Sequence, residues 1–332
     1  METLFKALIV RENDGKFDLA VETISTPELP KNEVLIKVSY SSVNYKDALS
    51  ASGNKGVTRK FPHIPGIDAV GTVVSSMVVQ FQPGDDVLVT GYDLGMNTWG
   101  GFGGYISVPA SWIAKLPENL SPLEAMSFGT AGLTAGLSVY HLINSNVKPD
   151  SGKIAVSGAT GGVGSISVAV LSKLGYEVVA ISGKDEPIFL TRTLGASSSI
   201  SRQEFVEKYN TKPLSATEFA GGIDTVGGNI LSAILKSSKY NGVVTCCGLV
   251  ASTELSTSIF PFILRGVKLI GIDSVEQPVN IKQQIWNLLS EEWKPANLSE
   301  LIEEISLEQL PETLKNIING KAKGRYVVRH NH

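Results

Sequence analysis

The sequence predicts an α/β fold: a β-rich domain combined with a doubly wound parallel sheet. Three observations predict it. The first is an apolar run that breaks into glycines, Ile154-Ala155-Val156-Ser157-Gly158-Ala159-Thr160-Gly161-Gly162-Val163-Gly164, ahead of a small-residue helical pattern from Ser165 to Leu174. The second is the alternation of helix and strand signals from about Ser121 onward. The third is the series of short β segments, punctuated by turn-formers, before that point.

Taken in order, Lys6 to Arg11, Glu33 to Tyr40, Ala69 to Ser75 and Asp86 to Thr90 read as strands. Asp14-Gly15, Leu29-Pro30-Lys31-Asn32 and Gln82-Pro83-Gly84-Asp85 separate them, and Gly100-Gly101-Phe102-Gly103-Gly104-Tyr105 leads into another strand, Ile106 to Val108. This pattern predicts a compact antiparallel or barrel-like domain. Ser121-Pro122-Leu123-Glu124-Ala125 reads as a helix start, with a hydroxyl at the N-cap, Pro at the first position and an acid in the first turn. Strands recur near 153–157, 177–182, 197–201, 222–226, 243–247 and 267–272, with helical stretches between most of them. Asp224-Thr225-Val226-Gly227-Gly228 closes one strand, and Asn229 starts the helix through Ser238. A final helix, Ser306 to Asn319, leads through a basic turn to a last strand, Tyr326 to Arg329, which has no helix after it and is assigned to the first domain. The expected domains are therefore 1–124 with 266–332, and 125–265.

Composition narrows the function. The chain has 332 residues, enough for two domains and a large core. Hydrophobic content of 42% against 18% charged residues argues against disorder. A net charge of -3 gives no reason to expect nucleic-acid or membrane-surface binding, and the apolar runs are too short to span a bilayer. The N-terminus, Met-Glu-Thr-Leu-Phe-Lys, lacks a secretory pattern. The two cysteines, Cys246 and Cys247, cannot build a disulfide framework or a four-ligand zinc site, and read as buried strand residues. Together these features predict a soluble, cytoplasmic protein.

Glycines between a strand and a helix let the backbone approach a pyrophosphate at the positive helix N-terminus. The next strand, Glu177 to Ser182, arrives at the right spacing. The motif predicts a nicotinamide dinucleotide site with Gly158, Thr160, Gly161, Gly162, Val163 and Gly164 against the cofactor. NAD-selective folds place an acidic residue roughly 20 positions on, to hold the ribose 2′-OH. This chain has Ser182-Gly183-Lys184 there. A hydroxyl and an ammonium bind a 2′-phosphate that a carboxylate would repel. NADPH is the expected cofactor, held by Ser182 and Lys184, with Arg202 as a second cation. Two alternatives stay open: Lys184 is a solvated loop lysine, and Asp185 is either the displaced acid or a helix cap.

A β-rich N-terminal domain ahead of a dinucleotide fold resembles the medium-chain dehydrogenase/reductase superfamily. Ser42-Val43-Asn44-Tyr45-Lys46-Asp47, Pro65-Gly66-Ile67-Asp68, Gly129-Thr130-Ala131-Gly132, Ala159 to Gly164, and Phe260 to Val267 leading to Gly271-Ile272-Asp273-Ser274 resemble one branch more closely, the YhdH/YhfP family. The resemblance covers nearly the whole chain. It implies a GroES-like catalytic domain and a Rossmann NADP-binding domain. It implies quinone oxidoreductase or NADPH-dependent acryloyl-CoA reductase activity. It also implies that Thr130, Gly248, Leu249, Asp273 and Arg325 surround the cofactor, with Arg325 on a phosphate; surface charge beside Lys321 and Lys323 is the alternative for Arg325. Zinc alcohol dehydrogenases of the superfamily have Cys-x-x-Asp where this chain has Asn44 and Asp47, and Gly-His-Glu where it has Gly66-Ile67-Asp68. Zinc requires soft or imidazole donors, so no metal is expected and His63 reads as structural.

Without a Lewis acid, hydride delivery to an activated acceptor is the expected chemistry. Tyr45 is the leading candidate to donate a proton or polarise a carbonyl, with Lys46 or a cofactor hydroxyl stabilising its anion; packing against the cofactor cleft is the alternative. Asp47 orients the site, binds a substrate amide or caps the helix at Ala48. Asn44 is expected on the nicotinamide side. Reduction of acryloyl-CoA to propionyl-CoA leads, a quinone acceptor is second, and a non-catalytic NADPH-binding redox sensor is third. Coenzyme A phosphates need cations, for which Lys55, Arg59, Lys60 and Arg265 are candidates. A homodimer is expected, because Val243 to Cys247 and Val267 to Ile272 lie near an apolar sheet edge.

Overall fold

The computed structural model describes residues 2–331. Met1 and His332, where the expected first domain begins and ends, lie outside the described residues. The chain divides into two units, one of Met1–Thr130, Val275–Ser290 and Leu301–His332, the other of Ala131–Ser274 and Glu291–Glu300.

The first unit opens with β1 (Leu4–Asn13) and β2 (Lys16–Ser25), an antiparallel hairpin. Its turn residues Asp14 and Gly15 have φ of 50° and 77°, as a two-residue hairpin turn requires. Strand β2 went unread in the sequence. Its apolar residues Phe17, Leu19 and Val21 alternate with mostly polar ones and are only partly buried. Then come β3 (Val34–Val43), α1 (Tyr45–Ala51), β4 (Asp68–Ser76), β5 (Asp86–Thr90), β6 (Tyr105–Val108) and β7 (Ile113–Lys115). The chain passes to the second unit within α2 (Pro122–Asn144), whose helix is interrupted at Gly129.

The second unit alternates as expected: β8 (Lys153–Ser157), α3 (Gly162–Lys173), β9 (Val178–Ser182), β10 (Ser198–Ser201), α4 (Arg202–Tyr209), β11 (Phe219–Asp224), α5 (Gly228–Ser237), β12 (Ser238–Cys246), α6 (Phe260–Arg265) and β13 (Lys268–Gly271). The chain completes the first unit with α7 (Val279–Ser290), β14 (Ile302–Ile305), α8 (Leu310–Ile318) and β15 (Arg325–Arg329).

In the first unit a seven-stranded sheet runs β14-β15-β3-β4-β5-β7, with β6 also on β3. The last strand, β15, pairs antiparallel with β3, Tyr326 opposite Val43. This register brings Arg325 to the end of β3, where α1 begins. The core of the unit has two apolar clusters, one around Leu8, Ile64 and Phe102, the other around Ile36, Val87 and Ile106.

In the second unit six parallel strands run β10-β9-β8-β11-β12-β13. Counted from β8 this is the doubly wound order, whose reversal between the first and fourth strands opens a crevice at their carboxyl ends. Because β13 pairs with β12, residues 266–274 group with this sheet rather than with the first domain expected from sequence. Residues 291–300 join them, while 125–130 stay with the first unit.

Candidate active site

In the second unit the glycine turn joins β8 to α3. Gly158 has φ of 59°, a left-handed conformation that glycine adopts without strain. Gly164 lies so close to the Gly158 carbonyl that a Cβ there would overlap it. Gly161 caps α3 without any side-chain hydrogen bond, and Gly162 and Val163 open the helix. No side chain therefore competes for the first N–H groups of α3.

Residues that the sequence reading missed brace this turn. Ser157 Oγ donates to Asp224 Oδ1 at 2.7 Å and accepts from the Thr225 N–H at 2.9 Å, while Thr225 Oγ1 donates to the Ser157 carbonyl at 2.9 Å. Asp224 Oδ2 also accepts from the Gly227 N–H at 2.7 Å. Burial raises the Asp224 carboxyl above its ordinary range despite these donors. Gly248 packs on the Thr225 backbone. The only signal for Asp224 was an acid at the end of an apolar strand.

At the end of β9, Ser182 Oγ accepts from the Lys184 N–H at 2.9 Å. Thr160 Oγ1 lies 3.5 Å from Ser182 Oγ. Ser182, Lys184 and Arg202 line a cavity of about 1060 Å³, which Gly228, Ile230 and Ser252 also border. Lys184 is half-buried and Arg202 exposed. Asp185 is exposed at the cavity edge. Closely packed glycines, open helix N–H groups and two cations beside an uncharged strand end fit a dinucleotide with a 2′-phosphate. Leu249 is exposed, as is Asp273, which follows β13.

The first unit holds a buried charged cluster. Asp68, at the start of β4, accepts from Asn44 Nδ2 at 2.8 Å, the Thr130 N–H at 2.8 Å, Thr130 Oγ1 at 2.5 Å and Ser42 Oγ. Asp47 is fully buried and accepts from the Asn44 N–H at 2.7 Å and the Ile67 N–H at 2.8 Å. Burial first, and then the neighbouring Asp68, push its carboxyl up to about 7. Arg325 Nη1 donates to Asn44 Oδ1 and the Val43 carbonyl, each at 3.2 Å, and its Nε donates to the Ser127 carbonyl at 3.2 Å. A Cβ on Gly129, whose φ is 52°, would overlap Ser42 Oγ and crowd Asp68 and Arg325.

Asn44, Asp47, Thr130 and Arg325 are thus brought together around Asp68, which the sequence reading did not single out. Its signal was Gly66-Ile67-Asp68, an acid opening an apolar strand. The geometry corrects the surface alternative for Arg325. Its guanidinium is buried against backbone carbonyls and Asn44, where it feels the charges of Asp68 and Asp47, because the β15 register carries it inside. Two cation assignments also change. Lys55 is held by Glu12 at 2.6 Å and lies over the Phe17 and Phe61 rings. Arg265 donates to the Lys236, Ser238 and Ser215 carbonyls. Tyr45 is 47% exposed at the start of α1, and its hydroxyl has no hydrogen-bond partner among the described residues. Cys246 and Cys247 are half-buried rather than buried.

These residues do not fit zinc. At the positions compared above stand an amide, Asn44, and an alkyl group, Ile67, and Asp68 already accepts four hydrogen bonds. Among the described residues no three His, Cys, Asp or Glu side chains are grouped to hold a metal ion.

Comparison with known proteins supplies the family. Residues 30–118 match the alcohol dehydrogenase GroES-like domain, and residues 162–291 match the family model described as zinc-binding dehydrogenase. The chain is 44% identical over 330 residues to Bacillus subtilis YhfP, provisionally named a quinone oxidoreductase, covering 99% of this chain and 100% of that protein. It is 42% identical over 326 residues to the probable acrylyl-CoA reductase AcuI of Escherichia coli K12, covering 98% and 100%. The crystal structure of the yhdH oxidoreductase from Salmonella enterica in complex with NADP has a TM-score of 0.94 and 41% identity, covering 98% of this chain and 99% of that one. The chain belongs to the YhdH/YhfP family of the medium-chain dehydrogenase/reductase superfamily.

Proposed function

We propose that this protein is an NADPH-dependent, metal-independent reductase of activated C=C bonds that converts acryloyl-CoA to propionyl-CoA. The observation that carries the reading is the glycine turn opening α3 with no side chain at its cap, together with a cavity beyond the end of β9 where Ser182, Lys184 and Arg202 stand among the lining residues. The likeness to an acrylyl-CoA reductase supports the choice of acceptor.

Bound NADPH supplies the hydride. The glycine turn holds the pyrophosphate, and Ser182, Lys184 and Arg202 hold the 2′-phosphate by charge-assisted hydrogen bonds. Asn44 and Thr130 are the half-buried members of the Asp68 cluster. Their fixed dipoles orient the reacting groups, with their own geometry held by Asp68 and, for Asn44, by Arg325. The Tyr45 hydroxyl gives its proton to the acceptor as the enolate forms and is recharged from solvent. Arg59 and Lys60, both exposed, remain as cations for coenzyme A phosphates.

NADPH oxidation rates with acryloyl-CoA, with a simple quinone and with no acceptor test the reading. A large kcat/KM advantage for the thioester is the expected result. A quinone advantage transfers the assignment to the reading that the YhfP likeness favours. No turnover with either acceptor sinks both.

The same reading includes a homodimer and a cytoplasmic location. Strand β13 is a sheet edge. Leu249, Val250, Ile259, Ile263 and Leu264 in the same unit are all more than half exposed, a surface suited to burial by a second copy. Light scattering at micromolar concentration should give twice the chain mass; a monomer contradicts the dimer. Among the described residues no helix is long and apolar enough to cross a membrane.

A further inference from the structure

The buried cluster of the first unit contains two carboxylates and one guanidinium. Arginine does not deprotonate in proteins, so full ionisation of Asp47 and Asp68 would leave one net negative charge away from water. Four donors converge on Asp68, an arrangement that suits a carboxylate anion. Asp47 has two backbone N–H donors. Arg325 contributes positive charge, yet its Nη2 has no hydrogen-bond partner and is buried.

We propose that Asp47 carries a proton in the working protein, which keeps the Asp47–Asp68–Arg325 cluster neutral, and that loss of this proton slows hydride transfer. The kinetic half rests on the reductase reading above. Hydride addition to an enoyl thioester puts negative charge on the acceptor oxygen. The one net negative charge left when Asp47 ionises, buried beside Asn44 and Thr130, opposes that build-up. Asp47 acts through these neighbours and is a positioning residue. Among the described residues, the charged groups that interact with it electrostatically are Asp68 from β4 and Arg325 from β15. The other members, Ser42, Asn44, Ser127 and Thr130, are uncharged. Burial and Asp68 together outweigh the Asn44 and Ile67 donors, which places the titration near 7.

Two measurements test this. In cofactor-free protein, infrared spectroscopy should find a protonated carboxylic-acid carbonyl band that disappears as pH rises through about 7 and is absent in Asp47→Asn. With NADPH and acryloyl-CoA, the wild-type rate should fall roughly tenfold per pH unit above that point, as for loss of one essential proton. Asp47→Asn should abolish this falling limb. A band confined to the ordinary carboxylic-acid range overturns the proposal, as does an identical falling limb in the variant. If Asp47→Asn does not fold, Asp68→Asn serves: with the neighbouring charge removed, the band should titrate at lower pH, and an unmoved band overturns the proposal. If no acceptor is reduced, the reductase reading fails, and the infrared titration alone decides the proton on Asp47.

Discussion

Two helix starts in this chain are built in opposite ways. A helix leaves its first N–H groups without internal partners. At α1, Asp47 reaches back to the Asn44 N–H at 2.7 Å, and the Asn44 side chain turns to Asp68 and Arg325. At α3, Gly161 and Gly162 bring no side chain to the cap. The first start is closed by the protein's own polar groups, so its charge is balanced internally. The second is left without a side-chain partner, and the proposed function fills it with an external anion. Bare glycines there mark a place for a ligand, whereas interlocked polar side chains mark a device that tunes one.

That contrast breaks most severely at Arg325. Replacing it with Met leaves the buried Asp68 carboxylate without a compensating cation. Breaking a buried pair in this way costs about 3–5 kcal/mol, so thermal melting should drop sharply near neutral pH. Recovery is expected as the pH is lowered toward the ordinary carboxylate range, because protonation then removes the stranded charge. An unchanged melting temperature would mean that the cluster carries no such charge. At the exposed end of α1, Tyr45→Phe should lower kcat by about 100-fold, the usual contribution of a positioned general acid, with NADPH affinity intact. Unchanged turnover would remove Tyr45 from the chemistry.

The open side of the contrast is tested in the second unit. Lys184→Glu exchanges attraction for repulsion at the 2′-phosphate and should weaken NADPH about 30-fold, consistent with hydrogen bonds to charged groups, while NADH changes little. Equal losses for both cofactors would reject a phosphate role for Lys184. The smallest effect is expected at Ser157→Ala, which removes the brace between Asp224 and the glycine turn at a cost of about 1–2 kcal/mol. Calorimetry should find NADPH and NADH weakened alike; a loss selective for NADPH would contradict a purely positioning role.

Much of the second unit was legible because its information is local. The glycine turn, the strand before it and Lys184 after β9 lie within one βαβ stretch, and their spacing alone implies a backbone that can approach a phosphate. The first unit was less legible. Strand β2 escaped because its half-buried alternation gives a weak signal. The burial of Arg325 was hidden because the nearby Lys321 and Lys323 make its surroundings look like a surface turn. Asp68 attracted notice only as a position where zinc enzymes carry a different residue.

The sequence by itself therefore determined the α/β architecture, the dinucleotide turn and the NADPH-type strand end, since each follows from periodicity and turn chemistry within a few tens of residues. Only the tertiary structure decided that β13 belongs with the parallel sheet, and that Arg325 is buried beside Asp47 and Asp68. Those outcomes depend on strand pairing between segments far apart in the chain. The β15–β3 register sets which charges meet inside the protein, and no local pattern in either strand specifies it.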